Sequence, residues 1–248
     1  MEKLRVGILG LGRGFTHFRN FLALDSVRVV GAADRLANRR ERGQERLTAV
    51  GEAGKETKLV PELDNLLALK PDAVVVASNA RLQVGHAIQC MEAGAHVLSE
   101  VPGAMTEEEI VRLRAAVQRT GKTYMLGENT CYWDFFRYFR KWVLEDRFGP
   151  ISIAEGEYLH YLPRTMLLAN DGSSVSPSEA RAQGHSDATP TWRADQPPIQ
   201  YLTHDLGPLL EVLDDRVVSV SCRSGPWRNE ETPLRSDGQI ALFQTARG

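Results

Sequence analysis

Near its amino end the chain reads Leu4-Arg5-Val6-Gly7-Ile8-Leu9-Gly10-Leu11-Gly12-Arg13-Gly14-Phe15. An apolar run ends in glycines, and the residues that follow can form a helix. This order of strand, tight turn and helix is typical of the first βαβ unit of a dinucleotide-binding fold. We expect Gly10 to form the tight turn and Gly12 to let backbone N–H groups approach a pyrophosphate at the helix N-terminus. The third glycine of the usual pattern would fall at Phe15, whereas Gly14 comes one residue earlier.

The next apolar run supports the same interpretation. Residues 27–33 lead to Asp34, about twenty residues beyond the glycines, where such folds place a carboxylate that accepts the adenosine ribose hydroxyls. Arg35 follows directly and can instead bind a 2′-phosphate. We therefore expect NAD as the cofactor, with NADP as the alternative. A solvated acid in a turn is the purely structural alternative for Asp34.

Composition excludes several classes of protein. The 248 residues suffice for one large domain or two ordinary ones, and a net charge of −2 gives no reason to expect a nucleic acid or an anionic membrane as partner. No apolar stretch reaches the length of a membrane span, and we expect no signal peptide. The three cysteines show no metal-ligand spacing, so we predict no metal site and a cytoplasmic location.

Short apolar strands and helical segments alternate through the first half of the chain. Residues 73–77 are apolar throughout, as a parallel strand covered on both faces requires. Thr106 and Glu109 predict a capping box, and Gly94 and Gly121 predict helix ends. The predicted strands are 27–34, 59–60, 73–77, 96–99 and 123–126, and the predicted helices are 39–53, 62–69, 84–93 and 106–119. This alternation predicts an α/β fold, a doubly wound parallel Rossmann sheet in a nucleotide-binding domain of residues 1–127.

The pattern changes at Glu128. We predict a second α+β domain, 128–248, built on a largely antiparallel sheet and incomplete at its C-terminus. Residues 135–142 predict an aromatic amphipathic helix, and residues 169–189 a long loop. Residues 151–159, 217–223 and 239–247 predict strands. Because a sheet that stopped there would leave an exposed edge, we expect the sequence to be part of a longer protein.

Three stretches resemble the glucose–fructose oxidoreductase / inositol dehydrogenase (Gfo/Idh/MocA) family. They are Gly7–Gly12, Lys70–Ala77 and Glu92–Pro102, and the last is the most specific. In that family a strand ends in Glu-Lys-Pro, and the lysine is usually assigned to the hydroxyl that is oxidised. Here Val101 replaces the lysine. A valine cannot hold or relay a proton, so the ordinary dehydrogenase set is incomplete.

Further stretches resemble the NAD-dependent α-N-acetylgalactosaminidases, which also carry Glu-Val-Pro. They are residues 128–132, 154–158, 192–193 and 201–208. This resemblance implies a redox-neutral reaction on a small carbohydrate substrate. A hydride passes from C3 of a pyranoside to NAD⁺, the acidified C2 proton and the anomeric group are eliminated, water adds, and the hydride returns. The chain departs from those glycosidases at His204-Asp205, where they tend to have His-Gly.

The resemblance also implies roles for individual residues. His204 and Tyr201 would act at the hydroxyl that loses hydride, with His204 as the general base, and Tyr158 would transfer a proton at C2. Substrate-binding residues would be Glu128, Asn129, Tyr132 and Arg193. Cofactor-binding residues would be Gly10, Gly12, Arg13, Gly14, Phe15, Asp34, Arg35, Ser78, Asn79, Glu100 and Pro102.

Two other functions remain open at this point. A net sugar or polyol dehydrogenase would use His204 in place of the missing lysine, and a non-catalytic NAD-binding sensor or scaffold would need no base at all. Of the remaining histidines, we expect a structural role for His17 and ordinary roles for His86 and His160. The aromatic run at 132–139 predicts a core or a subunit interface, with Tyr132 the exception, and we expect a homo-oligomer.

Overall fold

The structure is a computed structural model that describes residues 2–160, 166–170, 172–194, 196–226 and 238–247. The chain divides into two compact units, Met1–Gly127 and Glu128–Gly248. In the part of the chain that is described, no helix is both long enough and apolar enough to cross a membrane.

The first unit alternates strands and helices along its whole length. Its strands are β1 (Leu4–Leu9), β2 (Val27–Ala33), β3 (Lys58–Val60), β4 (Ala73–Val76), β5 (His96–Ser99) and β6 (Tyr124–Leu126). Its helices are α1 (Gly14–Phe21), α2 (Ala37–Val50), α3 (Leu63–Leu67), α4 (Ala80–Glu92) and α5 (Glu107–Thr120). The Thr106 side chain caps α5 by accepting the Glu109 N–H, and Gly121 ends that helix in the left-handed conformation, as the sequence predicts.

The six strands form one parallel sheet in the order β3-β2-β1-β4-β5-β6. The predicted doubly wound sheet is therefore confirmed. The strand order reverses between β1 and β4, and in open α/β sheets the crevice at this reversal, beyond the carboxyl ends of the strands, is where ligands bind. Gly10 directly follows β1, and Ser78 lies two residues beyond β4.

Both faces of this sheet carry a hydrophobic core. Val6 and Ile8 of β1 pack with Phe18 of α1 on one face, whereas Leu9 packs with Leu66 on the other. Gly7 and Gly31 leave room for Leu66, since a Cβ added at either glycine would lie 3.2 Å from the leucine side chain. Leu66 is fully buried. The alternation of side chains across β1 thus fills both layers.

The second unit contains smaller elements. Its helices are α6 (Asp134–Leu144), α7 (Pro177–Gln183) and α8 (Thr203–Leu213), and its strands are β7 (Leu167–Leu168), β8 (Ser174–Val175), β9 (Thr189–Pro190), β10 (Val217–Ser224) and β11 (Gln239–Thr245). The strands form two antiparallel sheets, β10-β11 and β8-β7-β9. Arg140 of α6 forms ion pairs with Glu211 of α8 and with Asp214, the residue that follows α8. The predicted helix at 135–142 and strands at 217–223 and 239–247 are confirmed.

The strand predicted at 151–159 does not form, so that prediction is wrong. Residues 151–160, all of them described, form no helix or strand, and Ile153 and Leu159 are 79% and 82% exposed. Alternation predicts which face of a strand is apolar, but a strand also needs a neighbour for its backbone hydrogen bonds, and none of the described strands pairs with this segment. The aromatic helix α6 buries none of its side chains, so the core alternative predicted for it is not observed in the described structure, and the alternative of a subunit interface stays a prediction.

The segment predicted as a long loop, 169–189, contains β8, α7 and part of β9. Ser176 and Glu179 form a reciprocal capping box, Pro177 occupies the first turn, and Gly184 ends the helix in the left-handed conformation. These are ordinary signals of a short helix. The polar composition of the segment obscured them, because a helix of seven residues leaves little room for an apolar stripe.

Replacing Leu66 tests the packing of the sheet. We expect Leu66→Ala to lower the free energy of unfolding by about 2–5 kcal/mol, because the cavity between α3 and the glycines of β1 and β2 cannot close. Leu82→Ala is the matched control at a side chain that is 46% exposed, and it should cost less than about 0.5 kcal/mol. Urea unfolding of both variants measures the difference; equal losses would contradict the packing described here.

Candidate functional site

The turn after β1 brings backbone atoms unusually close together. Gly10 has φ +93°, and a Cβ added there would lie 2.4 Å from the Ala77 carbonyl oxygen. Gly14 begins α1, and a Cβ added there would lie 2.9 Å from the Ala77 Cβ. Gly14 therefore performs the close helix–strand packing that the usual pattern assigns to its third glycine. Phe15, at the expected position of that glycine, lies under the Arg42 guanidinium, 3.6 Å from its ring centroid.

Asp34 closes this turn from the end of β2. Its carboxylate is buried and accepts hydrogen bonds from the Leu11 N–H at 2.7 Å and the Leu36 N–H at 3.0 Å. The arginine that reaches it is Arg39, whose Nη1 lies 3.4 Å from Oδ2. Arg35, which the sequence pointed to, is exposed. Arg39 Nη1 also lies 3.1 Å from where a Cβ of Gly12 would be, so its guanidinium covers the glycine turn.

These residues fit a dinucleotide. A Cβ at Gly10 would fill the cradle beside Ala77, and the N-terminus of α1 follows within the same turn. Each Asp34 carboxylate oxygen can accept two hydrogen bonds, and Oδ1 accepts one from Leu36, which leaves capacity for a ribose hydroxyl. The turn would hold the pyrophosphate, and Asp34 the adenosine ribose.

Two further predicted residues follow β4. The Ser78 hydroxyl lies 2.9 Å from His86 Nδ1, and the Ser78 backbone nitrogen lies 3.3 Å from the Cβ position of Gly10. Burial and the charge of Arg35 lower the pKa of His86. Asn79 caps α4 by accepting the Arg81 N–H. Ser78 thus borders the glycine turn, whereas the Asn79 side chain caps α4.

Glu100 follows β5 and is buried. Its Oε1 lies 2.7 Å from His17 Nε2 and 3.2 Å from Arg13 Nε. Burial alone would raise the pKa of Glu100, but the hydrogen bond from His17 and the charge of Arg13 outweigh it and hold the pKa below its ordinary value. His17 therefore holds the Glu100 carboxylate in place. This contact specifies the structural role that the sequence predicts for His17. Pro102, two residues further on, is buried and follows a cis peptide bond.

In the second unit, a buried carboxylate meets a histidine. Glu128 Oε1 lies 2.8 Å from His204 Nδ1, with side-chain exposures of 9% and 10%. Burial would raise the pKa of Glu128, but hydrogen bonds from His204 and Thr130 hold it below its ordinary value. An ionised carboxylate accepts the Nδ1 proton of a neutral imidazole, so the other ring nitrogen, Nε2, keeps its lone pair. This is the arrangement of a general base with an orienting acid.

Aromatic rings surround His204. The rings of Tyr158 and Tyr201 have centroids 4.9 Å and 5.3 Å from that of His204, and they stack on each other at 5.6 Å with a 9° interplanar angle. The Tyr158 hydroxyl lies 3.0 Å from His160 Nδ1. Burial and the charge of Arg193 lower the pKa of His160, which favours a neutral ring that can accept a phenol proton. The three predicted catalytic residues are therefore neighbours.

Arg193 lies against two aromatic rings at the edge of this cluster. Its Cζ is 4.4 Å from the Trp192 ring centroid and 5.1 Å from that of Tyr201. Its Nη1 is buried with no hydrogen-bond partner among the described residues, and the same holds for Glu128 Oε2. A buried donor and a buried acceptor without partners are a costly arrangement that a polar ligand can satisfy.

Not all predicted substrate residues join this cluster. Asn129 and Tyr132 are exposed, Tyr132 at 63%, and no described hydrogen bond joins either side chain to Glu128 or His204. Conversely, the sequence predicts only an ordinary role for His160 and no individual role for Thr130 or Trp192. The spacing Tyr-x-His at 158–160 was the available signal for His160. Among the described residues, no group of three or more His, Cys, Asp or Glu side chains is placed to hold a metal ion.

Comparison with known proteins gives a family model and several relatives. Residues 4–128 match the model described as "Oxidoreductase family, NAD-binding Rossmann fold" (GFO_IDH_MocA). A glycosyl hydrolase family 109 protein 2 of Akkermansia muciniphila is 28% identical over 235 residues, 91% of this chain and 47% of that protein. An alpha-N-acetylgalactosaminidase of Bacteroides fragilis is 26% identical over 217 residues, 86% of this chain and 49% of that protein. The chain spans about half the length of these curated relatives.

Solved structures show the same fold. A scyllo-inositol dehydrogenase from Lactobacillus casei, solved with bound NAD(H) and scyllo-inositol, matches with a TM-score of 0.68 at 17% identity, covering 99% of this chain and 67% of that chain. At this identity the likeness concerns the fold alone.

Replacing Gly10 tests the nucleotide turn. Gly94 is a matched control, because its φ of +94° equals that of Gly10 within a degree while a Cβ there would meet nothing within 4 Å. We expect Gly94→Ala to cost about 1 kcal/mol of stability through backbone strain alone and to keep NAD⁺ affinity within about twofold. Gly10→Ala must also displace Ala77, so we expect at least about a tenfold loss of affinity by titration calorimetry. Equal affinities in the two variants would contradict the assignment of this turn.

Replacing Glu100 tests its ion pairs through pH. Because the pKa of Glu100 is lowered in the folded protein, its pairing stabilises the fold above the ordinary carboxyl value of 4.5, and this contribution is lost as the pH falls below it. The free energy of unfolding should therefore fall less steeply with acidification in Glu100→Gln than in the wild type. Glu41→Gln, at an exposed position of α2, should keep the wild-type slope. Denaturant titrations at several pH values measure these slopes.

Proposed function

Since the chain belongs to the Gfo/Idh/MocA oxidoreductase family with an NAD-binding Rossmann fold, we propose that it exchanges hydride between NAD(H) and a carbohydrate hydroxyl. We propose further that the hydride is returned, so that the net reaction is the hydrolysis of a glycoside. The observation that carries this proposal is the buried Glu128–His204 pair, with two stacked tyrosines beside the histidine. The relatives named as α-N-acetylgalactosaminidase support a sugar with an acetamido group as the substrate.

The roles follow from the geometry. His204 Nε2 accepts the proton of the hydroxyl that is oxidised, while Nδ1 donates to Glu128 and holds the ring in one tautomer. When bound, NAD⁺ supplies the hydride acceptor for that carbon. Tyr158 then takes the acidified neighbouring proton while its own phenol proton passes to His160 Nδ1, 3.0 Å away. The electron pair of that C–H bond expels the anomeric group to solvent, and water later adds in its place. Arg193 Nη1 donates to the amide carbonyl of the sugar, and Glu128 Oε2 accepts from a hydroxyl.

In the Rossmann unit, the chain's own residues bind and orient the cofactor. Gly10, Gly12 and Gly14 admit the pyrophosphate to the N-terminus of α1, and Asp34 selects the ribose with two free hydroxyls. Glu100, held by His17 and Arg13, would bind the nicotinamide ribose. Val101 can carry no proton, and in the proposed scheme His204 serves as the base.

A net dehydrogenase is the second candidate. The same His204–Glu128 pair can replace the base that Val101 lacks, and in that case the hydride leaves with NADH. We further propose that the protein acts in the cytoplasm, where NAD(H) is available, and as a homo-oligomer. The exposed rings of Phe135, Tyr138 and Phe139 support an interface between copies, and light scattering of the purified protein measures its mass.

One assay distinguishes the candidates. The full-length protein is incubated with NAD⁺ and a panel of nitrophenyl glycosides that includes the α-N-acetylgalactosaminide, and nitrophenolate and NADH are followed together. Nitrophenolate release over many turnovers without NADH indicates the glycosidase. NADH that rises with sugar consumption indicates the dehydrogenase. Binding of NAD⁺ without either product would favour a sensor or scaffold, and absence of micromolar binding of both NAD(H) and NADP(H) would overturn the proposal.

Replacing His204 tests the general base. We expect His204→Gln to lower kcat by at least about a hundredfold, because base catalysis is lost, while NAD⁺ affinity stays within about twofold. His185→Gln is the control, since His185 bonds only with Gln183 among the contacts described for its ring and should leave turnover unchanged. Undiminished turnover in His204→Gln would show that another group is the base.

A further inference from the structure

The buried hydroxyl of Thr130 contacts both members of the Glu128–His204 pair. It lies 2.6 Å from Glu128 Oε1 and 3.1 Å from the carbonyl oxygen of His204. The Thr130 N–H also donates to Glu128 Oε1 at 3.0 Å. Thr130 is only 5% exposed and begins a short 3₁₀ turn of residues 130–132, two residues after Glu128.

These contacts give the two oxygens of the Glu128 carboxylate different surroundings. Three donors lie within hydrogen-bonding distance of Oε1: the Thr130 N–H, the Thr130 hydroxyl and His204 Nδ1. Oε2 is buried and makes no hydrogen bond of good geometry among the described residues, although the Thr203 side chain also helps to lower the pKa of Glu128. Thr130 therefore holds the same carboxylate oxygen that faces the histidine.

The negative charge of the buried Glu128 carboxylate explains why its contact with Thr130 matters. A carboxylate inside the protein loses its hydration, and hydrogen bonds to the charged form must replace it. Hydrogen bonds from His204, from the hydroxyl and N–H of Thr130 and from Thr203 hold the pKa of Glu128 below its ordinary value, and an ionised Glu128 accepts the Nδ1 proton of His204. If the hydroxyl were absent, the carboxylate could turn, and the imidazole could exchange one tautomer for the other.

We propose that Thr130 is a positioning residue that fixes the Glu128 carboxylate and, through it, the tautomer of His204. This inference rests on the proposed function, in which His204 Nε2 must be free to accept a proton. Thr130 itself touches no reacting atom in that scheme. Its effect on turnover would pass entirely through the two residues it contacts.

Three variants test the proposal by kinetics. Thr130→Val keeps the shape and the backbone N–H but lacks the hydroxyl, and we expect kcat to fall about tenfold with KM within about twofold. Thr130→Ser retains the hydroxyl and should restore kcat to within about threefold of wild type. Thr120→Val is the matched control, because the Thr120 hydroxyl donates only to a backbone carbonyl, that of Ala116, and it should leave kcat unchanged.

A second measurement needs no activity. Nitrogen-15 NMR of the imidazole rings, with His204→Gln used to assign the resonance, reports which ring nitrogen of His204 carries the proton. We expect the Nδ1–H tautomer in the wild type and in Thr130→Ser, and a mixture of tautomers in Thr130→Val. If Thr130→Val does not fold by near-ultraviolet circular dichroism, Thr130→Ala takes its place.

The outcomes are distinct. An unchanged tautomer together with an unchanged kcat in the variants that lack the hydroxyl would overturn the positioning role, as would a failure of Thr130→Ser to restore kcat. If the wild type exchanges hydride with no sugar, the proposed function fails, and the tautomer of His204 in Thr130→Val still decides whether Thr130 positions the pair.

Discussion

The close approach of Gly10 to the carbonyl oxygen of Ala77 is the constraint on which the Rossmann unit depends. A Cβ added at Gly10 would lie 2.4 Å from that oxygen, so only glycine allows the turn after β1 to pass so near the end of β4. The turn then leads directly into α1, where Gly14 packs against the same alanine. Because the strand order reverses between β1 and β4, this contact also shapes the crevice in which a dinucleotide would bind.

Other features of this unit depend on the same turn. The Leu11 N–H, one residue beyond Gly10, donates to the buried carboxylate of Asp34 and so joins the ends of β1 and β2. Arg39 then neutralises that carboxylate from α2 while covering Gly12. A backbone conformation that only glycine adopts readily is thus surrounded by contacts that hold it in place.

The second unit contains a different kind of constraint, a buried charge. Glu128 is 8% exposed, and its ionised form persists because Thr130 and His204 donate to one of its oxygens. Replacing such a group by an apolar residue often stabilises a protein, so a buried carboxylate with one oxygen lacking a partner indicates function more than stability. The His204 side chain is only 10% exposed, and low solvent exposure strengthens its hydrogen bond to Glu128.

The sequence by itself determined the parallel sheet, because its signals are local. A glycine turn, an apolar run without alternation and helix caps such as Thr106 each act within a few residues. It did not determine that Arg39 is the arginine that contacts Asp34, because the pitch of α2 decides this. Nor did it determine that His160 contacts Tyr158, because side-chain rotamers decide that contact. The strand predicted at 151–159 does not form for a related reason. A strand needs a neighbouring strand for its backbone hydrogen bonds, and the alternation of apolar and polar residues does not show whether one is present. Only the tertiary structure brought Glu128 and His204 together across 76 residues of chain, because burial of a charge next to its partner is a property of the packed molecule.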